Sequence, residues 1–83
     1  MTSGSREATL SGYLLDLGRL IREAAVDAKK AHDSRSPDTR EFESGRVMAY
    51  NEVVSLMQQQ AVAFGLPFEE IGLEGMDPDN DLV

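Results

Sequence analysis

The chain holds few residues able to form a reactive centre. It has one histidine, His32, and no cysteine. A histidine working as a general base needs a nucleophile within reach and a third group to orient it. His32 is flanked by Lys29, Lys30 and Asp33, and the residue one helical turn earlier is Ala28. It reads as a solvated residue near the end of a helix, where its protonated form complements the helix dipole. The spacing Asp77-x-Asp79-x-Asp81 matches the opening of a calcium loop, but such a loop needs glycine at its sixth position and a bidentate glutamate at its twelfth. The sixth position here is Leu82, and the sequence stops at Val83, so these carboxylates read as a solvated acidic segment. Glu23, Glu41, Glu43 and Glu52 lack the histidine three residues on that di-iron bundles use. One histidine without a thiol does not make a structural zinc site. There is no glycine-rich phosphate loop and no nucleophile elbow. The expectation is a protein that is not an enzyme and uses no metal or cofactor.

Charge is distributed unevenly. The net charge is −7 over 83 residues. Basic and acidic residues balance through Arg46; from Val47 onward every charged residue is acidic: Glu52, Glu69, Glu70, Glu74, Asp77, Asp79 and Asp81. Such a surface repels phosphate backbones and admits partners with basic or apolar surfaces. The N-terminus lacks the basic start and apolar run of a signal peptide. The most apolar stretch, Val47–Phe68, includes Asn51, Glu52 and Gln58-Gln59-Gln60, which disqualifies it as a membrane span. A cytoplasmic location is expected, and the absence of cysteine agrees with a reducing compartment.

Two long helices must carry these residues. Leu10, Leu14, Leu17, Ile21, Ala24, Ala28 and Ala31 form an unbroken heptad seam, widened by Tyr13 and Leu20, within a helix over about residues 5–33. Gly12 and Gly18 lie off the seam, as tolerated glycines or as points of close approach by another helix. Ser36-Pro37 suits an N-cap and first helical position; the alternative is Asp38 as the cap with Glu41 closing a capping box. The second helix covers about residues 37–64, and the short connection predicts an antiparallel hairpin. In it, Ala24, Ala28 and Ala31 would face Phe42, Val47 and Tyr50. Phe64-Gly65-Leu66-Pro67 is a stop signal: glycine takes the left-handed position and proline cannot continue the helix. A helical turn over about residues 67–71 would fold Phe68 and Ile71 onto the bundle end, leaving 1–73 as the domain. Residues 74–83 carry little apolar surface and are expected as a mobile acidic tail, or one crossing onto a neighbouring chain.

The second helix carries more apolar surface than one neighbour can cover. Val47, Tyr50, Val54, Met57, Ala61 and Phe64 form one heptad line; Phe42, Ala49, Val53, Leu56, Gln60 and Ala63 form another beside it. A helix packed on one side has a single apolar stripe with charges opposite. Two lines predict two contacts, one within the chain and one to another copy. The candidate interface residues are therefore Tyr50, Val53, Val54, Leu56, Met57, Gln60, Ala63, Phe64 and Phe68. Ala49, Val53, Leu56, Gln60 and Ala63 are assigned to the neighbouring chain, and the first line to helix one. The glutamine run is either an amide network between chains or a neutral solvated face.

The fold class expected is all-α: an antiparallel two-helix hairpin self-associating into a four-helix bundle, as a dimer or dimer of dimers. Functionally this is a non-enzymatic, homo-oligomeric interaction module: a small acidic adaptor, chaperone-like or inhibitor-like protein. The alternatives are a purely structural self-assembling protein, or a nucleic-acid regulator using Arg19, Arg22, Lys29 and Lys30.

Overall fold

The computed structural model describes residues 3–34 and 37–83, with the side chains of residues 6–34 and 39–83. Two long helices, α1 (Ser3–Ser34) and α2 (Pro37–Ala63), are followed by a 3₁₀ turn (Phe68–Ile71) and a single-turn helix, α3 (Pro78–Asp81). The described residues include no strand. Pro37 opens α2, where its missing N–H costs no hydrogen bond; the expected cap at Ser36 and the side chain of Asp38 lie outside the described residues. The helices run antiparallel. Leu14 and Ala61 line one groove at one end of the hairpin, and His32, Ser44 and Val47 line another at the other end.

The stop after α2 is a Schellman motif. Gly65 takes φ 69°, the Leu66 N–H donates to the Ala61 carbonyl at 2.8 Å, and the Gly65 N–H donates to Val62 at 3.1 Å. The same arrangement ends the 3₁₀ turn, where Gly72 takes φ 75° and the Leu73 N–H donates to the Phe68 carbonyl at 3.0 Å. These two reversals send the chain back over the hairpin.

Residues 74–83, expected as a mobile tail, instead pack on their own chain. Leu73, Met76, Pro78 and Leu82 are buried while Glu74, Asp77, Asp79 and Asp81 face solvent. The apolar residues are few, but the hairpin provides the rest of their core: Ala25, Ala28, Val47, Val54 and Ala61. The segment also satisfies itself locally. The Asp77 carboxylate caps α3 by accepting from the Asp79 N–H at 3.2 Å and the Asn80 amide at 2.6 Å, and Asp81 accepts from the Asp77 N–H at 2.8 Å. The spacing that resembled a calcium loop is thus a helix cap with proline at its first position.

Side chains from both helices hold this strap by its main chain. From α1, Arg22 donates to the Glu74 carbonyl and Lys29 to the Val83 oxygen. From α2, Asn51 donates to the Pro78 and Leu82 carbonyls at 2.7 and 3.2 Å, and Gln58 to the Met76 carbonyl at 2.8 Å. Each helix contributes two residues a heptad apart, so the four donors line one side of the hairpin. The molecule measures 54 × 23 × 16 Å, with a radius of gyration of 15.1 Å against about 12 Å for a compact chain of this length. Strap and hairpin together make a thin slab.

Candidate interaction surface

The strap covers one side of the hairpin, and helical geometry identifies the other. Nine residues at about 100° each carry a helix position to roughly the opposite side. Tyr13 is nine residues before Arg22, and Gln60 is nine after Asn51. Both therefore lie away from the strap. Around them on α1 stand Leu10, Leu17 and Leu20, and on α2 stand Val53, Leu56 and Phe64, all exposed. Phe64 is 73% exposed, Tyr13 66% and Leu56 62%. From these fractions the seven residues expose roughly 700 Å² on one face, against about 300–600 Å² for the largest patch on a typical monomer.

A groove of about 300 Å³ opens on this face between the helices, lined by Leu14, Leu56, Met57, Gln60, Ala61, Phe64, Leu66 and Ile71. Its walls are almost wholly hydrocarbon, and Gln60 is the one polar residue among them. Among the described residues, neither the Gln60 amide nor the Tyr13 hydroxyl has a hydrogen-bond partner.

The residues expected at an interface divide between core and surface. Val54 is fully buried inside its own chain, and Tyr50, Met57 and Phe68 are half-buried against the core. None of these four forms the open face, although Met57 reaches the groove. Val53, Leu56, Gln60 and Ala63 are exposed. Phe64 was assigned to helix one but projects outward, because the helix ends there and Leu66 and Ile71 fill the space beside Ala61 instead. Phe42, expected opposite the alanines of α1, is 70% exposed, whereas Val47 and Ala28 are buried. On α1 the buried positions are Gly18, Ala25 and Ala28, so the packed line is rotated from the predicted seam toward the strap. Leu10 and Leu17 are left open.

The other chemical candidates are occupied locally. His32 Nδ1 lies 3.1 Å from Asp33 Oδ1, and Lys29 pairs with the same oxygen at 3.3 Å. The His32 hydrogen bond, followed by Lys29, holds the Asp33 carboxyl below the usual aspartate range. Glu43 is buried and paired with Arg46 at 3.0 Å. Of the four basic residues considered for nucleic acid, Arg22 and Lys29 bind the strap, and the remaining Arg19 and Lys30 share their groove with Glu23, Asp27 and Glu74. Among the described residues no group of His, Asp or Glu is arranged to hold a metal, and no helix is long and apolar enough to cross a membrane.

Asn51, given no role from sequence, and Gln58, expected in an amide network between chains or on a solvated face, instead hold the strap of their own chain. Their heptad spacing beside the apolar seam was the available signal. Comparison with protein-family models, curated proteins and solved structures finds no match.

Proposed function

We propose that the protein is a non-enzymatic, cytoplasmic interaction module that works as a homo-oligomer, two hairpins forming a four-helix bundle through the faces away from their straps. The observation that carries this reading is the roughly 700 Å² exposed by seven apolar residues on one face, close to the about 800 Å² per partner of a standard-size interface. Exposed to water, that area opposes folding and solubility; paired with its equivalent it becomes a core. A two-fold arrangement needs only one self-complementary patch, which suits a chain this short. The acidic strap would then face outward on each copy, leaving charge for partners with basic surfaces.

Co-expression of two differently tagged copies tests the reading. Each tag should recover the other copy, and L56D, which places a charge at the centre of the face, should abolish the recovery. Wild-type copies that never co-purify would contradict it.

A further inference from the structure

The open face carries a knob and a socket of matching chemistry. We infer that Tyr13 of one copy fills the groove beside Gln60 of a second copy, and that the exchange is mutual. This rests on the homo-oligomer reading above and specifies how its contact is made. The socket is about 300 Å³, with walls that include Leu14, Leu56 and Phe64 and with Gln60 as its one polar residue. Among the exposed apolar side chains of this face, Tyr13 alone combines a ring with a polar end. A buried tyrosine needs a partner for its hydroxyl, and a buried amide needs one as well. Among the described residues neither has a partner in its own chain, where both stand in solvent, and docking the ring would satisfy both at once. Knob and socket lie on the same face, so one two-fold operation satisfies two sockets. The second copy is the occupant that offers this match without any further component. A foreign ring would leave Tyr13 itself uncovered on a face already large enough for a dimer.

Self-association constants from sedimentation of the full chain test this. Y13A should weaken association about 30-fold or more, as a buried aromatic anchor does. Y13F and Q60L should each weaken it about 3–10-fold, and the double variant no further than either alone, because they remove one shared hydrogen bond. Tyr13 is exposed in the single chain, so circular dichroism should report an unchanged fold for Y13A. A wild-type dimer whose constant is untouched by Y13A overturns the knob and leaves the oligomer standing. Additive losses for Y13F and Q60L overturn the hydrogen bond. A folded wild-type monomer overturns the parent reading and this inference together.

Discussion

Gly18 and Ile71 meet main chain to main chain: a β-carbon built on Gly18 would lie 1.6 Å from the Ile71 carbonyl oxygen. The contact is reciprocal, since a β-carbon on Gly72 would lie 2.8 Å from both the Leu15 oxygen and the Arg19 nitrogen. No side-chain adjustment can relieve a collision with backbone. The helix and the returning chain touch here because both lack side chains, and this crossing starts the strap along its side of the hairpin. Of the two readings of Gly18, close approach rather than tolerance holds, and the approaching element is the end of the 3₁₀ turn rather than a long helix.

G18A should therefore force the strap away from α1. A loss of about 3 kcal/mol is expected, at the upper end of typical overpacking costs. G12A is the matched control: a β-carbon there meets nothing within 4 Å, so the better helix propensity of alanine should stabilise by up to about 1 kcal/mol. Thermal unfolding should move the two variants in opposite directions, at about 4–8 °C per kcal/mol for a domain of this size.

Asn51 joins α2 to both ends of α3 through two carbonyls. N51A should destabilise by about 1–3 kcal/mol, because it removes the side-chain donor to the Leu82 carbonyl and one of the two donors to the Pro78 carbonyl, which keeps the Leu82 N–H. The loss should be local first. Amide exchange at Asp81 and Leu82, whose N–H groups donate to Asp77 and Pro78, should accelerate before that of the hairpin.

Much of the hairpin was legible in the sequence. Val47, Val54 and Ala61 sit at heptad spacing and form the buried line of α2. Pro37 and Gly65 mark helix ends because each fits a backbone geometry few other residues favour. The strap was not legible, for a physical reason. Met76 and Leu82 are sparse among carboxylates, and their burial depends on a surface provided far away in the chain. Composition counts only what a segment brings itself. The same blindness displaced Phe42 and Phe64: spacing gives a helix face, whereas the ends of the hairpin decide whether anything stands opposite.

Leu82 distinguishes a packed strap from a mobile tail. Its side chain is buried to 2% exposure, so L82A should cost about 2–5 kcal/mol in urea unfolding. A change within about 0.5 kcal/mol, the range of ordinary surface substitutions, would return the segment to a solvated tail.

Asp33 should titrate below an ordinary aspartate, because His32 and Lys29 favour its charged form. A carboxylate whose folded pKa is depressed contributes stability above its unfolded pKa and loses it as pH falls through the folded one. The contribution should therefore fade only in acid, and it is small because the side chain is exposed. A carbon-detected titration should place the Asp33 midpoint below the usual range, and H32A should move it upward.

If another copy covers the face opposite the strap, sedimentation equilibrium of the wild-type chain at micromolar concentration should read a mass of two or four times the 9.1 kDa chain. A folded species of one chain mass, unchanged as concentration rises, would contradict it.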